Sequence, residues 1–430
     1  MNTSFKRKPV KLDTSKEITF QAIQWDFDNI YDDSNSDSED NHSFKPRQNL
    51  KIRIYGVTED GDSISVVVNK FNTFFYVKLP NKTSPWKKSE LSDTLKKFKE
   101  YVRFRLSKGV KSLEKSVNFD KFNIVKKKPL YGYSTTECYF VKMVFYSSWV
   151  QKTVLQYFQK DVNIAGMGKR TYETYESNLD PMLRFMHTNE IKPAGLIKIE
   201  GGKYFQKDEY DQETRCQIEI DVPNYKNVVP VNESKLIPII FASFDIECTS
   251  ESGAFPQADN SGDKIIQIVT TYYRYGDKEP FYIHAVVLDT CTKPECVDLK
   301  VCENEYELLE EWTKSIQEVD PDILTGYNID GFDLGYMWDR ANGPFTIYKD
   351  KNGDPCSCVN KFQWLGRMKN KPSKLEESSF SSGAYGHTDF RKLKMSGRLQ
   401  IDLLQVIKRE HKLDSYKLDN VSAKFIGDKK

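Results

Sequence analysis

The sequence predicts a mixed α/β protein, and length, composition and hydrophobic patterning all lead to this expectation. The 430 residues are 38% hydrophobic and 13% aromatic, which is enough chain to bury a core in two or three domains. Strand-like alternation and helix-like spacing of apolar residues occur in separate segments. In the second half, strand patterns are followed by a helix and then by another strand, which is typical of a mixed α/β domain.

The overall composition argues against secretion and membrane insertion. Lys and Arg total 64 against 62 Asp and Glu, so the formal net charge of +2 does not by itself indicate a nucleic-acid partner. The first twenty residues contain several lysines and do not resemble a signal peptide. The longest apolar run, Leu236–Ala242, is too short to cross a bilayer. We therefore expect an intracellular protein.

The eight cysteines lack the paired C-x-x-C spacing that closes a tetrahedral zinc site. Cys291, Cys296 and Cys302 follow His284 and could in principle bind a metal. Scattered cysteines more often serve as packing or surface residues. We expect reduced thiols and assign no zinc site.

The N-terminal half begins with strand and helix patterns around an acidic segment. Residues 31–48 are polar, acidic and nearly free of apolar side chains, which is typical of a disordered loop. Lys51–Val57 and Ser63–Asn69 alternate across a polar turn and predict a hairpin. Thr73–Leu79 predicts a third strand of the same small antiparallel sheet. Apolar residues at helical spacing predict an amphipathic helix over Lys88–Leu106.

A basic segment covers this predicted helix. Between Lys82 and Lys128 there are fifteen Lys or Arg and five Asp or Glu, an excess of ten positive charges interleaved with aromatic residues. One interpretation is a surface that contacts DNA phosphates. The alternative is a solvated helix face whose aromatic residues lie in the core. The side chains that we assign to the DNA-contacting interpretation are Lys87, Lys88, Lys96, Arg103 and Arg105.

A domain boundary is predicted near the middle of the chain. Cys138–Phe145 predicts a strand, and the segment from Ser147 to about Lys160 predicts a helix. The proline-containing segment Pro223–Pro238 then interrupts periodic structure. We expect an N-terminal domain over residues 1–235 and a second domain over residues 236–430.

An apolar strand, Ile239–Glu247, ends with two acidic residues. Asp245 and Glu247 are two positions apart, so the strand period places them on one face. Two carboxylates directed into the same volume repel each other unless a cation lies between them. A hard divalent ion such as Mg²⁺ is therefore expected here.

A third acidic residue follows at a strand-to-helix junction. Ile265–Tyr273 and Phe281–Leu288 predict strands, and a helix is predicted from about Glu303 to Val319. The chain returns through a short strand, Ile323–Tyr327, to a segment that contains Asp333.

These segments resemble two exonuclease motifs of the B-family DNA polymerases. Phe244–Cys248 (FDIEC) is similar to the first motif and Gly326–Tyr336 (GYNIDGFDLGY) to the second, in the correct order. Further segments are similar to delta-type members of the family, and the expected source of the chain is a large DNA virus. They are Thr19–Ile23, Lys51–Pro80, Thr174–Met186 and Gly397–Gly427. The resemblance covers the N-terminal and 3′→5′ exonuclease region, and the family's polymerase motifs are absent from this sequence.

The resemblance implies an α+β N-terminal module followed by a ribonuclease-H-like 3′→5′ exonuclease domain with a mixed sheet. Asp245, Glu247 and Asp333 would be the catalytic residues. They would hold two Mg²⁺ ions, for which Mn²⁺ could substitute.

Three residues of the second motif are expected to contact the primer 3′ end. They are Tyr327, Asn328 and Phe332, with Phe332 stacking on or wedging the terminal nucleotide. The alternative is that Phe332 belongs to the core and Asn328 supports a turn.

The family also uses a fourth acid, in a third motif of the form Tyr-x-x-x-Asp that follows the segment matched by Gly397–Gly427. We therefore expect the exonuclease domain of this chain to be truncated before that motif. Tyr385–Asp389 has this spelling but lies upstream, so we interpret it as a coincidence. Asp402 is a second candidate, in a setting where one acid could cap a helix or form an ion pair.

We therefore expect part of a replicative DNA-directed DNA polymerase that binds DNA and proofreads with Mg²⁺. Its expected partners are a DNA primer–template, the polymerase core and a sliding clamp, in the nucleus or at a viral replication site in the host cytoplasm. One alternative is a free-standing 3′→5′ exonuclease that takes its fourth acid from Asp389, Asp402 or a partner chain. Another is a non-catalytic DNA-binding subunit of a split polymerase.

Overall fold

A computed structural model describes residues 5–31, 48–109, 111–130, 132–343, 347–349, 355–357, 362–382 and 386–427. The predicted acidic loop at 31–48 lies outside the described residues except for its two end positions. Tyr31 ends one strand and Gln48 begins the next.

Thirteen strands and three α-helices are described in the first half of the chain. The strands are β1 (Ile18–Tyr31), β2 (Gln48–Thr58), β3 (Ser63–Val68), β4 (Thr73–Lys78), β5 (Asn123–Lys127), β6 (Cys138–Phe145), β7 (Val162–Ile164), β8 (Gly168–Arg170), β9 (Thr174–Tyr175), β10 (Leu196–Ile199), β11 (Phe205–Gln206), β12 (Ile218–Val222) and β13 (Val229–Val231). The helices are α1 (Lys88–Lys108), α2 (Ser148–Phe158) and α3 (Pro181–Asn189).

A seven-stranded sheet of order β11-β12-β3-β2-β1-β10-β13 forms the larger part of this half. The predicted hairpin is confirmed, because β2 and β3 pair antiparallel with Val57 opposite Ser63. The sheet is not purely antiparallel, since β12 runs parallel to β3. Its core contains buried side chains from several strands, including Phe20, Ile54 and Val66.

The third predicted strand belongs to a different sheet. β4 pairs with β6 and β9 in a four-stranded sheet of order β5-β6-β4-β9. Phe75 of β4 packs with Phe98 of α1 and Phe158 of α2 in one core cluster. The prediction of a single small sheet was wrong because alternation identifies a strand but not its partner.

Helix α1 confirms the amphipathic helix predicted in the basic segment. Phe98, Val102 and Leu106 recur at helical spacing and are fully buried, so packing of this stripe stabilises the helix. At the first turn, the Lys87 N–H donates to the Glu90 carboxylate at 3.0 Å. Strand β6 and helix α2 also lie where the sequence predicts them.

Ten strands and four α-helices are described in the second half. The strands are β14 (Ile240–Cys248), β15 (Ile265–Arg274), β16 (Tyr282–Leu288), β17 (Asp298–Cys302), β18 (Ile323–Gly326), β19 (Ile347–Lys349), β20 (Pro355–Ser357), β21 (Lys374–Ser382), β22 (Gly386–Lys394) and β23 (Leu399–Asp402). The helices are α4 (Glu305–Val319), α5 (Asp333–Asn342), α6 (Leu403–Glu410) and α7 (Leu418–Phe425).

The predicted mixed sheet is confirmed in this half. Six strands form a sheet of order β17-β16-β15-β14-β18-β23, in which β14 is antiparallel to β15 and parallel to β18. β18 is in turn parallel to β23, so these three parallel strands end at the same edge of the sheet. Leu308, Trp312 and Ile316 of α4 are buried in the core of the sheet.

Buried ion pairs connect the N-terminal segment to the start of β18. Arg7 and Arg367 both bind Asp322, at 3.0 and 2.6 Å. Arg367 and Arg398 both bind Asp320 at 2.8 Å. Because these carboxylates are almost fully buried, three guanidinium groups provide the compensating charge inside the protein.

The division at residue 235 stays a prediction. The strands of the seven-stranded sheet end by Val231, and those of the six-stranded sheet begin at Ile240. Among the helices that are described, none is both long and apolar enough to cross a membrane.

Candidate active site

Strand β14 presents its two acidic residues on one face. Ala242, Phe244 and Ile246 are buried, whereas Asp245 and Glu247 are exposed. The alternation follows from the two-residue period of a strand whose other face packs on the core. The predicted orientation of the two carboxylates is therefore confirmed.

The segment after β18 makes a tight turn towards the end of β14. A Cβ at Gly326 would lie 2.6 Å from the Phe244 carbonyl oxygen, so only glycine fits this close approach. Asn328 has a φ of 66°, in the left-handed region. Its carbonyl accepts hydrogen bonds from the N–H groups of Gly331 and Phe332, both at 3.0 Å. Asn328 thus supports the turn, as one interpretation of the sequence expected.

The third acid, Asp333, contacts the backbone of the first motif. Asp333 is the first residue of α5 and is buried. Its Oδ1 accepts a hydrogen bond from the Ile246 N–H at 3.3 Å, and Ile246 lies between Asp245 and Glu247 in the chain. The two motifs, which are almost ninety residues apart in sequence, therefore meet at the carboxyl ends of β14 and β18.

The electrostatic environment of Asp333 opposes its negative charge. Burial raises the pKa of Asp333 to about 7, and the nearby charge of Asp245 acts in the same direction. The hydrogen bond from the Ile246 N–H opposes this rise without cancelling it. The negative charge of Asp245 is therefore close enough to act on Asp333.

The donor set suits a hard divalent cation, although the acids do not form a closed cluster. Within the described ranges, no three His, Cys, Asp or Glu side chains gather closely enough to form a ready-made metal site. Carboxylate oxygens are nevertheless the ligands that Mg²⁺ prefers. A cation here would also offset the burial and the repulsion from Asp245 that together raise the pKa of Asp333. The metal-binding roles of Asp245, Glu247 and Asp333 stay predictions.

Asp402 caps a helix, as one interpretation of the sequence expected. It ends β23 and is the N-cap of α6, where its Oδ1 accepts from the Leu404 N–H at 2.9 Å. The same carboxylate accepts from the N–H groups of Asn328 at 2.8 Å and Asp330 at 3.2 Å. Tyr385, the other candidate, lies outside the described residues, and Asp389 lies in β22 opposite Ser379.

Phe332 lies between the core and the surface of the site. It is half-buried, and its ring centroid lies 5.0 Å from that of Phe255 and 5.1 Å from that of Tyr336. Tyr327, also half-buried, donates its hydroxyl hydrogen to the Tyr416 carbonyl. Contacts of Tyr327, Asn328 and Phe332 with a primer end stay predictions.

Phe255 is a candidate primer-contacting residue that the sequence did not predict. Its side chain is 67% exposed and packs edge-on against Phe332. Its loop is fixed by Asp263, whose carboxylate accepts from the Glu251 and Gln257 N–H groups at 2.7 and 2.8 Å. No periodic pattern marks this loop, so a phenylalanine within an otherwise polar run was the only available signal.

The five basic residues that we assigned to DNA contact lie on α1 or, for Lys87, at its N-cap, and all are exposed. Arg103 lies 3.2 Å from Glu114, and Arg105 lies over the ring of Tyr157 at 4.7 Å. Phe119 and Phe122, in contrast, are buried. The aromatic residues thus largely belong to the core, while the charges stay accessible, and their contact with DNA stays a prediction.

Comparisons with known proteins agree with this geometry. The model of the family described as DNA polymerase family B, exonuclease domain, matches residues 172–421. A second model, described as DNA polymerase delta catalytic subunit-like, N-terminal domain, matches residues 72–152. Together they include both motifs and the four-stranded sheet.

Individual relatives match most of the chain. The DNA polymerase delta catalytic subunit of Schizosaccharomyces pombe is 33% identical over 402 residues, which cover 91% of this chain and 34% of that protein. The DNA polymerase of Pyramimonas orientalis virus is 28% identical, covering 99% of this chain and 43% of that protein. The chain therefore spans roughly a third of the length of the delta catalytic subunits it matches and less than half of the viral enzyme.

A solved structure shows the same fold. The family B DNA polymerase from the hyperthermophilic archaeon Pyrobaculum calidifontis superposes with a TM-score of 0.56 and 16% identity, covering 95% of this chain and 39% of that one. The six-stranded sheet and its helices thus form a ribonuclease-H-like exonuclease fold. Because the exonuclease model matches more than half of the residues, the chain belongs to DNA polymerase family B and corresponds to its N-terminal and exonuclease region.

Proposed function

We propose that this chain supplies the 3′→5′ proofreading activity of a replicative DNA polymerase. The observation that carries the proposal is the meeting of Asp245 and Asp333 at one edge of parallel strands, with the pKa of Asp333 raised to about 7. Perturbed carboxylates gathered from separate motifs are typical of catalytic sites. The family supports the substrate, a mispaired nucleotide at a DNA primer end.

Asp245, Glu247 and Asp333 are the proposed catalytic and metal-holding residues, for two Mg²⁺ ions with Mn²⁺ as a substitute. Such ions, when bound, lower the pKa of an attacking water and stabilise the charge on the departing 3′ oxygen. Asp333 is fixed by the Ile246 N–H on one oxygen. Asp245 and Glu247 face outward, where a DNA end can approach them.

The primer end is proposed to lie against the second motif. Phe332 and Phe255 form an apolar surface beside the acids, on which a terminal base can stack. Asn328 is held in a defined turn, which orients its amide for hydrogen bonds to the nucleotide. Tyr327 is anchored through Tyr416 and is the third proposed contact.

We extend the proposal to the larger assembly. The basic face of α1 contacts DNA through phosphate charges, with Lys87, Lys88, Lys96, Arg103 and Arg105 as the contacting residues. Residues 1–235 and 236–430 act as the N-terminal and exonuclease domains. DNA synthesis requires a polymerase core. We propose that this core corresponds to the part of the relatives that the chain does not match. We also propose that a sliding clamp is a partner and that the protein acts in the nucleus or at a viral replication site.

Degradation of a 3′-mispaired primer–template tests the exonuclease proposal. The purified chain is incubated with Mg²⁺ or Mn²⁺, beside a double variant, Asp245→Asn with Glu247→Gln. Asp277→Asn with Glu279→Gln is the matched control, because this other Asp-x-Glu pair is exposed between β15 and β16, outside the site. We expect the wild-type chain and the control to shorten the primer and the site variant to lose at least about a hundredfold in rate.

Loss of activity in the site variant alone supports the proposed residues and shows that the chain is active by itself. Equal activity in both variants would contradict the proposed site. Absence of degradation by a folded wild-type chain that binds DNA would reject autonomous proofreading and favour the DNA-binding subunit.

A further inference from the structure

We infer that Asp402 is a positioning residue that holds the turn of the second motif and thereby sets the location of Asp333. The inference rests on the proposed function, because it assigns Asp402 a role in the same site. Asp402 lies on the neighbouring parallel strand, where it is opposite Gly326 in the β18–β23 register. It therefore stands directly beside the point at which the turn begins.

Both oxygens of the buried Asp402 carboxylate are engaged by backbone groups. Oδ1 accepts from the N–H groups of Asn328 at 2.8 Å and Leu404 at 2.9 Å. Oδ2 accepts from the Asp330 N–H at 3.2 Å. Capping of α6 uses only the bond to Leu404, so the two bonds to the turn need a separate explanation.

The turn requires external support. Asn328 has a φ of 66°, a conformation that residues with a Cβ rarely adopt unless their surroundings hold it. A second anchor comes from the same strand, since the Gln400 side-chain amide donates to the Asp330 carboxylate. Two residues of β23, Gln400 and Asp402, thus hold the turn at Asn328 and Asp330.

The turn leads directly into the site. The carbonyl of Asn328 accepts from the Phe332 N–H, and Asp333 follows as the first residue of α5. A displaced turn would therefore move Phe332 and Asp333 together. Because both Asp402 oxygens already accept backbone N–H groups, the geometry favours positioning over the role of a fourth metal-binding acid.

Asp402→Ser separates the two roles of the carboxylate. Serine is a good N-cap, so it preserves capping of α6, but its short side chain cannot reach the turn. Asp180→Ser is the matched control, because Asp180 caps α3 through the Met182 and Leu183 N–H groups and contacts no part of the second motif. Asp402→Asn is an intermediate variant that keeps the bond from Asn328 and loses the bond from Asp330.

Hydrogen exchange on the metal-free chain is the first measurement. We expect amides of residues 327–334 to exchange about tenfold faster in Asp402→Ser, less in Asp402→Asn, and at the wild-type rate in Asp180→Ser. Unchanged exchange in Asp402→Ser would overturn the inference. This readout does not need an active enzyme, so it remains decisive if the proposed exonuclease activity fails.

Primer degradation is the second measurement. If the wild-type chain is active, we expect Asp402→Ser to lower kcat about tenfold or more with little change in KM for the primer–template, and Asp402→Asn to recover part of the loss. Wild-type kcat in Asp402→Ser would contradict positioning. A loss of equal size in Asp180→Ser would assign the effect to helix capping and would also contradict it.

Discussion

Buried acidic residues near the two ends of β18 have opposite electrostatic environments. At its N-terminal end, Asp320 and Asp322 are bound by Arg7, Arg367 and Arg398. At its C-terminal end, the chain leads through the turn to Asp333, whose neighbours include the carboxylates of other acids. The two ends belong to one strand of four residues, so overall burial does not explain the difference.

The pKa values show what the difference means. The guanidinium groups hold the pKa of Asp320 far below its usual range in spite of burial. Burial and Asp245 instead raise the pKa of Asp333 to about 7. The protein supplies its own cations where the charge is structural. At Asp333, where we propose that a metal ion binds, the acidic neighbours leave negative charge that a bound cation can stabilise.

The largest expected effect on stability is at the N-terminal end of β18, where Arg367 binds Asp320 and Asp322. Arg367→Met should lower the free energy of unfolding by about 3–5 kcal/mol, because it leaves buried carboxylates without part of their compensating charge. Urea or guanidinium titration measures the change. The control is Lys235→Met, which removes an exposed ion pair with Glu59 and should cost less than about 1 kcal/mol. Equal effects of the two variants would contradict a special role for the buried cluster.

Asp333→Asn should have the opposite effect on stability. With metal removed by EDTA, folded Asp333 keeps a proton up to pH of about 7, whereas the unfolded chain loses it near 3.8. The free energy of unfolding therefore falls as the pH rises through this window. Asp333→Asn should remove that fall and stabilise the chain by about 1–3 kcal/mol at pH 8. Destabilisation at pH 8 would show that the carboxylate is compensated internally.

A paired carboxylate in the seven-stranded sheet, Glu219 of β12, should show the reverse pH dependence. Glu219, bound by Arg53 and Lys207, has a folded pKa of about 2 against an ordinary 4.5, with burial opposed by these cations and by Thr214. Its stabilising contribution is present above about pH 4.5 and is lost as the pH falls towards 2. Glu219→Gln should therefore flatten the acid limb of the stability profile, measured by chemical unfolding from pH 6 downwards. An unchanged acid limb would reject this assignment.

Local patterns in the sequence predicted a large part of the fold. Asp245 and Glu247 were placed on one strand face because the two-residue period is local, and α4 and α1 followed from their apolar stripes. The predicted sheet partner of β4 was wrong because strand pairing depends on segments that are distant in the sequence. The cluster of Arg7 with Asp322, which are 315 residues apart, could not be predicted for the same reason. The contact of Asp402 with the turn likewise depends on the β18–β23 register.

A smaller effect is expected at the apolar surface beside the acids. Phe255→Ala should weaken binding of a single-stranded 3′ end by about 1–3 kcal/mol if its ring supports a stacked base. The side chain is 67% exposed, so stability should change little. Fluorescence of a 3′-terminal base analogue, with Ca²⁺ or EDTA to prevent cleavage, measures the affinity. Phe425→Ala, at another exposed phenylalanine, is the control, and equal losses would remove the assignment to the site.

The smallest expected effect is at the basic helix. Replacing Lys87, Lys88 and Lys96 with Gln should weaken DNA binding uniformly across sequences and reduce the salt dependence of the affinity by up to about two to three charges. Binding measured between low and moderate salt gives the slope. A control replaces Lys278, Lys293 and Lys300, which lie outside this helix. An unchanged slope in the α1 variant alone would place the DNA elsewhere.

We propose above all that Asp245, Glu247 and Asp333 bind a divalent cation at the carboxyl ends of β14 and β18. Calorimetric titration of the chain with Mn²⁺ at pH 7, in two buffers of different ionisation enthalpy, tests it most directly. We expect binding accompanied by proton release from Asp333, and loss of both in Asp333→Asn and in Asp245→Asn with Glu247→Gln. Mn²⁺ binding that persists unchanged in these variants would contradict the account.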